Sequence, residues 1–212
     1  MGKGFSLQTE VLSAGDPQSI PRAIGVLHAG GLVAFPTDTV YGLAALAFDS
    51  LGIERLYQVK DRETTKAIAI LLSSADELPH VTGEMTPIAR RLADRFWPGP
   101  LTLVVPTHPA LPANLSPRPT IGVRMPAHPL ALALLRQAGP LATTSANLSG
   151  HQSACTAQEV LSHLAGRIAL ILDGGRTPGG LSSTVVDCTG LKPVILRSGP
   201  ISLADLQSAL AE

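Results

Sequence analysis

The side chains that could do chemistry in this 212-residue sequence are hydroxyls that end apolar runs and cations that stand beside such runs. Residues 32–48 read LVAFPTDTVYGLAALAF, where an apolar run stops at Pro36 and meets Thr37, Asp38 and Thr39 before the chain turns apolar again. A buried strand that ends in hydroxyls, a carboxylate and a glycine is a common way for an α/β protein to present a ligand site. The simpler interpretation is an ordinary turn, since all these residue types suit turns.

Two further groups of hydroxyls follow the same pattern. Thr143, Thr144 and Ser145 end the apolar run that begins at residue 141, and a pair of serines stands at 182–183. The second set of reactive side chains consists of cations near apolar runs: Lys60, Arg62, Lys66, Arg124 and Arg197. Arginine in particular suits planar, bidentate recognition of a carboxylate or a phosphate.

A charge inside an apolar strand is costly unless it is paired, and Arg124 and Arg197 both occupy such positions. The partner is either a carboxylate of the chain, such as Asp38 or Asp187, or an anionic ligand. For one arginine the internal carboxylate is the simpler interpretation. Two arginines beside the charged segment 60–66 favour a concave anion site, where three or four charged hydrogen bonds of roughly 1.5–3 kcal/mol each would hold a nucleotide or an amino acid.

Composition argues against several other classes of protein. Sixteen basic and sixteen acidic residues cancel, so no overall field draws the chain to nucleic acid or a membrane. Walker A, GxGxxG, HExxH and GxSxG motifs are absent, and the six histidines show no ligand spacing. The two cysteines form no CxxC pair, so neither a disulfide framework nor a zinc site is predicted, and the cytoplasm is the expected compartment. The N-terminus lacks a signal-peptide core, and no uncharged apolar run would span a bilayer.

The elements that position these side chains alternate between short strands and helices. Strands are predicted at 7–12 (as an edge strand), 32–35, 67–72, 101–105, 121–125, 141–144, 168–172, 184–187 and 194–197, with the last two paired. Helices are predicted from about residue 20 to a stop at Gly30-Gly31, from a cap at Asp49 or Ser50 through Tyr57, and at 87–96, 130–138, 156–164 and 202–210. The helix at 156 is expected to open with a capping box formed by Thr156 and Glu159. This alternation predicts one α/β domain over residues 1–212, with a mixed sheet flanked by helices.

Seven short segments carry a resemblance to a known family. They are residues 36–43 (PTDTVYGL), 60–62 (KDR), 96–102 (FWPGPLT), 123–126 (VRMP), 145–150 (SANLSG), 183–187 (STVVD) and 197–199 (RSG). Together they resemble the signature of the YrdC/TsaC-type threonylcarbamoyl-AMP synthases, in the family's order and across about residues 17–200. One segment alone would be weak evidence, whereas the ordered set is specific. The length resembles the single-domain form, without the C-terminal domain of longer relatives.

The resemblance implies a fold, a reaction and partners. The implied fold is a twisted mixed sheet around a large, basic cavity. The implied reaction converts L-threonine, bicarbonate or CO2, and ATP into threonylcarbamoyl-AMP and pyrophosphate, with Mg2+ accompanying ATP. The product would supply the threonylcarbamoyl group of a modified tRNA adenosine through a separate transferase complex. Such chemistry needs alignment and neutralised phosphates rather than a protein nucleophile.

The resemblance also implies roles for individual residues. The implied catalytic residues are Lys60 and Arg62. The implied ATP contacts are Arg62, Lys66, Thr120, Ser145, Asn147, Ser153 and Arg197. The implied threonine contacts are Thr39, Arg124, Thr143 and Ser183, while the metal ligands stay undetermined. Each hydroxyl also has the simpler interpretation of a turn or a cap, and each cation that of an ion pair.

The sequence departs from the family pattern after the KDR segment. Many relatives have Pro at the position of Glu63, Pro-Leu at 67–68, and a threonine-facing His at the position of Leu71. A leucine cannot hydrogen-bond the substrate, so the departure at Leu71 puts selectivity for threonine in question and keeps an inactive regulatory relative open as an interpretation.

Two other functions stay open on the sequence alone. The first is an RNA-binding module, against which the neutral charge and the scarcity of aromatic residues argue. Salt-dependent tRNA binding, compared with ATP binding, would discriminate it. The second is a related enzyme that forms a carbamoyl-adenylate from another substrate, as in the homologous domain of hydrogenase maturation proteins. Dependence on threonine rather than carbamoyl phosphate would separate the two enzymes.

Overall fold

The computed structural model describes residues 8–211. In that part of the chain one sheet contains ten strands: β1 (Glu10–Ser13), β2 (Val33–Pro36), β3 (Tyr41–Leu46), β4 (Ala69–Leu71), β5 (Leu101–Pro106), β6 (Thr120–Arg124), β7 (Leu141–Ser145), β8 (Leu170–Asp173), β9 (Thr184–Asp187) and β10 (Val194–Arg197). The α-helices are α1 (Ser19–His28), α2 (Ser50–Val59), α3 (Leu78–Val81), α4 (Pro87–Phe96), α5 (Pro129–Ala138), α6 (Ala157–Leu164) and α7 (Leu203–Ala211). The predicted mixed α/β fold is confirmed.

The strands lie in the order β1-β8-β2-β3-β7-β4-β6-β5-β9-β10. β1 is an edge strand and pairs in parallel with β8, as predicted for an edge strand there, although Leu7 of the predicted strand lies outside the described residues. β9 and β10 pair in antiparallel register with Val194 opposite Asp187, which confirms the predicted pairing. Four neighbouring pairs are parallel (β1–β8, β8–β2, β4–β6 and β5–β9) and the other five are antiparallel, so the sheet is mixed.

The helix caps explain where several helices begin. The Thr86 hydroxyl accepts a hydrogen bond from the Ala89 amide at 3.2 Å and thereby opens α4. The Thr156 hydroxyl accepts one from the Glu159 amide at 3.2 Å and opens α6. The expected capping box is only half formed, because the Glu159 carboxylate accepts its hydrogen bond from the Cys155 amide at 2.6 Å rather than from the amide of Thr156.

A β-hairpin replaces the single strand and polar turn predicted within residues 32–48. β2 and β3 pair in antiparallel register, with Pro36 opposite Tyr41, and residues 37–40 form the connection. β3 escaped the prediction because its sequence, YGLAAL, is rich in Gly and Ala, which have low strand propensity. Pairing with β2 on one side and β7 on the other holds it in the middle of the sheet.

The two faces of the sheet are covered unequally. Helices α1 and α5 supply Leu27 and Leu134 to an apolar cluster on one face, and α2, α4 and α6 supply Leu56, Leu92 and Val160 to the cluster on the other. α1 and α5 pack over β2, β3 and β8, which leaves the β4–β6–β5–β9 part of that face without a covering helix. This uncovered part of the sheet face is where polar side chains converge.

Strand alternation decides which side chains reach that uncovered face. Successive strand residues point to opposite faces. In β7, Ala142 joins the apolar cluster of the opposite face, while Thr143 and Ser145 line a cavity on the uncovered face. In β6, Val123 joins the same apolar cluster, while Arg124 lines the cavity. Among residues 8–211 no helix is both long enough and apolar enough to cross a membrane.

Candidate active site

A cavity of about 340 Å³ lies on the uncovered sheet face. Seven of the predicted site residues line it: Thr39, Arg62, Arg124, Thr143, Ser145, Ser183 and Arg197. Its floor is apolar where Leu71, Val104 and Val185 face it. Strands that are distant in the sequence therefore bring most of the predicted hydroxyls and arginines into one concave space.

The hairpin connection forms one wall of the cavity and holds itself by hydrogen bonds. The Thr37 hydroxyl donates to the Val40 carbonyl at 2.7 Å and accepts from the Thr39 amide at 3.2 Å. The loop after β8 closes over this wall, because the Gly180 amide donates to the Thr39 carbonyl at 3.1 Å. The Tyr41 hydroxyl donates to the Gly175 carbonyl at 2.7 Å, and burial raises the pKa of Tyr41 to about 12, so it stays a neutral donor. The Thr39 side chain is thereby fixed at the cavity edge.

Arg124 is a buried cation whose guanidinium is held on three sides. Its Nε donates to the Gly99 carbonyl at 2.9 Å, one Nη to the Thr39 hydroxyl at 3.0 Å, and the other Nη to Oδ1 of Asp38 at 2.5 Å. Burial lowers the pKa of Arg124, and the Asp38 carboxylate opposes that shift. Of the two kinds of partner that the sequence left open, Arg124 has the internal carboxylate, Asp38. Among residues 8–211 its other two N–H groups have no hydrogen-bond partner, and because Arg124 lines the cavity they can meet a second anion there.

Arg197 lies across the cavity and has a different environment. Its guanidinium donates to the Ser183 carbonyl at 2.9 and 3.1 Å and to the Ser183 hydroxyl at 3.0 Å. That hydroxyl also shares a 2.8 Å hydrogen bond with the Thr102 hydroxyl. Asp187, the other carboxylate suggested by the sequence, instead accepts from the amide and hydroxyl of Thr189 at 2.9 and 2.7 Å. In the described part of the chain Arg197 forms no ion pair.

Arg62 is the third arginine of the cavity. Helix α2 ends at Val59, with Lys60 as its C-cap. Asp61 then adopts a left-handed backbone with φ of 50°, which turns the chain so that Arg62 faces the cavity. Arg62 donates to the carbonyls of Lys66 and Ala67 at 3.2 and 2.9 Å. Burial lowers the pKa of both Arg62 and Arg197, and the nearby Arg62 lowers that of Arg197 further.

The charge of the cavity lining is entirely positive. Among residues 8–211, the lining contains Arg62, Arg124 and Arg197 but no Asp or Glu. Arg124 is neutralised from behind by Asp38, whereas the guanidinium groups of Arg62 and Arg197 donate only to carbonyl and hydroxyl oxygens. Two arginines without a carboxylate at one cavity form a site for an anion of more than one charge.

Lys60 lies beneath the cavity rather than in its lining. It is 1% exposed, and its ammonium donates to the backbone carbonyls of Ser145 and Asn147. The Lys60 carbonyl accepts from the Ser149 amide at 3.0 Å. Burial, with a smaller effect from Arg62, lowers the pKa of Lys60 to about 7. Lys60 therefore fastens the loop after β7 at three points.

Four more predicted residues lie outside the lining defined by the described part of the chain. Asn147 is buried in the loop after β7, and its amide donates to the Leu148 and His151 carbonyls at 2.8 Å. Lys66 is exposed and forms an ion pair with Glu63 at 3.5 Å. Thr120 begins β6 and Ser153 follows the loop after β7, and both are half-buried. The placement of these residues leaves their predicted ATP contacts as predictions.

Five other polar residues of the lining, Thr37, Tyr41, Thr102, Thr144 and Ser182, received no role from the sequence. Thr102 had a detectable signal, because it is a lone hydroxyl between Leu101 and Leu103 in a strand that is otherwise apolar. A polar residue in a buried strand needs a partner, and here the partner is Ser183. Thr37, Thr144 and Ser182 belong to the hydroxyl groups that the sequence analysis singled out, but it assigned none of the three to a ligand.

Comparison with known proteins agrees with this geometry. The family model of the Sua5/YciO/YrdC proteins, described as "Telomere recombination", matches residues 25–199. The chain is 43% identical to a Bacillus subtilis threonylcarbamoyl-AMP synthase, with 95% of this chain and 59% of that protein covered. A Mycobacterium tuberculosis relative is 40% identical, with 95% of each covered.

A solved structure agrees as well. Pyrococcus abyssi Sua5 complexed with L-threonine superposes with a TM-score of 0.91 at 39% identity, covering 96% of this chain and 61% of that one. The chain thus spans about six tenths of the length of the B. subtilis and P. abyssi proteins. The resemblance inferred from the seven segments is confirmed, and the chain belongs to the Sua5/YciO/YrdC family.

Proposed function

We propose that the protein is an L-threonylcarbamoyladenylate synthase, which makes threonylcarbamoyl-AMP and pyrophosphate from L-threonine, bicarbonate or CO2, and ATP. The observation that carries the proposal is the unequal charge of the cavity, where Arg62 and Arg197 lack a carboxylate partner in the described chain and Arg124 has one. The first pair fits a polyphosphate, and the third arginine fits the single carboxylate of an amino acid. Relatives of the same name support this reading.

ATP is proposed to bind with its phosphates at Arg62 and Arg197. A bound triphosphate would supply the negative charge that these two guanidinium groups lack, and charged hydrogen bonds of this kind are the stronger ones. Ser145 lines the same cavity at the end of β7. Lys66, Thr120, Asn147 and Ser153 are proposed to contact the nucleotide after local movement, since apo geometry is often looser than that of the complex.

L-threonine is proposed to bind at the opposite end, near Arg124. The free N–H groups of that guanidinium would pair with the substrate carboxylate. Thr39, Thr143 and Ser183 present hydroxyls to the same cavity. The P. abyssi relative was solved with L-threonine, which supports a threonine site in this fold.

The chemistry needs positioning more than it needs a protein nucleophile. The threonine amine attacks CO2 to form a carbamate, and one carbamate oxygen then attacks the α-phosphorus of ATP while the bond to pyrophosphate breaks. Arg62 and Arg197 would stabilise charge that builds on the leaving pyrophosphate. Lys60 contributes by holding the end of β7, at Ser145, and the loop that follows it. Alignment of two bound reactants is itself a large catalytic effect.

Mg2+ is proposed to enter on the triphosphate rather than on the protein. Among residues 8–211 no group of three or more His, Cys, Asp or Glu side chains is arranged to hold a metal, and the cavity lining lacks carboxylates. Magnesium commonly relies on substrate phosphates and retains several waters. The absence of carboxylates from the lining of the described chain supports the proposal that Mg2+ arrives bound to the phosphates of ATP.

The product is proposed to serve tRNA threonylcarbamoyladenosine synthesis, with a transferase complex as the next enzyme and the cytoplasm as the compartment. A mixed anhydride of a carbamate and AMP is an activated acyl donor, so its consumer must be an enzyme that transfers the threonylcarbamoyl group to a nucleophile. An exocyclic amine of a tRNA adenosine meets that requirement.

The test is pyrophosphate release with MgATP and bicarbonate, with and without L-threonine. The wild-type chain is expected to release pyrophosphate only with threonine. Arg62→Ala is expected to lower kcat/KM for ATP by about 100-fold or more, since it removes a charge from the leaving group. Arg136→Ala, at an exposed position in the last turn of α5, is the matched control and is expected to match wild type.

Other outcomes would change the proposal in defined ways. Pyrophosphate release that does not depend on threonine, or that requires carbamoyl phosphate, would support adenylate formation with a substrate other than threonine. An equal loss in the Arg62 and Arg136 variants would contradict the phosphate site. No release from folded protein would leave RNA binding as the next function to measure, by salt-dependent tRNA binding.

A further inference from the structure

Two buried polar atoms, one on Asp38 and one on a histidine that interacts with it, lack hydrogen-bond partners within the described part of the chain. They are Oδ2 of Asp38 and Nδ1 of His128. Buried polar atoms without partners are rare, because each one costs the free energy of its lost hydration. The catalytic proposal uses Oδ1 of Asp38 and leaves both of these atoms unexplained.

The backbone brings the two side chains to the same place. Oδ1 of Asp38 accepts from the Ala127 amide at 3.0 Å, and His128 is the next residue. His128 begins α5 as its N-cap, yet its side chain makes no capping bond to that helix. The negative charge of Asp38 raises the pKa of His128, against a larger lowering by burial, so the two groups interact electrostatically.

We propose that His128 is a positioning residue for the amino-acid end of the cavity, whose Nδ1–H donates through one bridging water to Oδ2 of Asp38 and holds that carboxylate in the orientation that pairs with Arg124. This inference rests on the proposed function for its catalytic consequence. Its structural part, the protonation of Nδ1 and the bond to Asp38, does not depend on the substrate.

The consequence follows from the order of contacts. His128 would hold Asp38, Asp38 holds Arg124 through Oδ1, and Arg124 also donates to Thr39. A carboxylate fixed by one oxygen can rotate about its Cβ–Cγ bond, whereas a donor on each oxygen fixes the plane of the group. Loss of the His128 donor would therefore disorder Arg124 and weaken the site for a substrate carboxylate. The phosphate end, at Arg62, shares none of these bonds.

The kinetic test compares two substitutions at one position. His128→Leu removes the donor, and His128→Asn keeps an N–H near the position of Nδ1. His128→Leu is expected to raise KM for L-threonine, and the calorimetric Kd for L-threonine, by about 10-fold, with kcat and KM for ATP changed by less than about 3-fold. His128→Asn is expected to restore both threonine constants to within about 3-fold of wild type. His28→Leu, at the exposed end of α1, is the control.

The second measurement reads the bond itself by NMR of 15N-labelled histidine. The His128 signals are expected to report the Nδ1–H tautomer, and Asp38→Asn is expected to shift the Nδ1 signal. An Nε2–H tautomer that ignores Asp38→Asn would overturn the proposal, as would equal changes in the threonine and ATP constants of His128→Leu. If wild type neither binds threonine nor releases pyrophosphate, the proposed function fails, and the NMR result still decides the bond between His128 and Asp38.

Discussion

The cavity contains arginines in two contrasting environments. Arg124 is 5% exposed and forms an ion pair with Asp38, so its charge is balanced before any ligand arrives. Arg62 is half-buried and Arg197 is exposed. In the described chain both guanidinium groups donate only to carbonyl and hydroxyl oxygens. The difference separates two tasks. A balanced buried charge stabilises the fold before any substrate binds, whereas charges without a carboxylate partner at a cavity gain one only from a ligand.

The largest expected difference between the two ends is in stability. Asp38→Asn leaves Arg124 buried without a counter-charge and is expected to lower the free energy of unfolding by about 3 kcal/mol. Arg62→Met removes a cation that has no carboxylate partner in the described chain and is expected to lower it by less than about 1 kcal/mol. Urea denaturation of the variants, with equal m-values, measures both quantities.

A double variant sharpens this stability comparison. Arg124→Met combined with Asp38→Asn removes both charges and is expected to be less destabilised than the sum of the two single variants. Additive losses would mean that Asp38 and Arg124 stabilise the fold independently. A loss at Arg62 as large as that at Asp38 would contradict the division between a structural and a ligand-dependent end.

Sequence reasoning could identify the fold because apolar runs and helix signals are local features of the sequence. The hydroxyls of Thr143 and Ser145 were recognisable because they end an apolar run, and Arg124 because it follows Ile121 and Val123 in an otherwise apolar strand. It could not assign the partner of Arg124, because Asp38 and Asp187 both suited the pattern and only the strand order decides between them. Nor could it place Lys60, whose two carbonyl partners lie 85 and 87 residues further along the chain.

The next prediction concerns Lys60, which lies beneath the cavity. Its pKa is about 7 in the folded chain, below the ordinary value of 10.5 expected on unfolding, because burial disfavours its charge. At pH values between these two pKa values, the Lys60 amine is protonated in the unfolded chain and neutral in the folded chain. The free energy of unfolding therefore rises with pH. From pH 7 to 9 wild type is expected to gain about 2 kcal/mol relative to Lys60→Met.

The measurement is the difference between the pH profiles of the two proteins, because other groups that titrate in this range cancel in the difference. Lys192→Met, at an exposed position before β10, is the control and is expected to keep the wild-type slope. Parallel profiles for wild type and Lys60→Met would mean that the two carbonyl hydrogen bonds keep Lys60 charged in the folded chain.

The smallest expected effect concerns Leu71, which lies at the amino-acid end. Leu71 is opposite Arg124 in the β4–β6 register and faces the cavity. Many members of the family that the sequence resembles have a histidine at this position. A leucine offers no hydrogen bond to a substrate hydroxyl. A site that does not bond a hydroxyl discriminates poorly against an isostere without one. Leu71→His is therefore expected to raise the preference for L-threonine over L-valine, as a ratio of kcat/KM values, by about 5-fold.

Leu71→Met is the matched control for this selectivity, because it conserves volume and adds no strong hydrogen-bonding group. It is expected to leave the threonine-to-valine ratio unchanged. If Leu71→His lowers the rate with both amino acids equally, the hydroxyl is recognised elsewhere, and Thr39, Thr143 and Ser183 become the side chains to substitute. Because Asp38 and Arg124 are untouched by this change, stability should fall only by the cost of the buried imidazole. A selectivity change without a change at the phosphate end would again separate the two ends of the cavity.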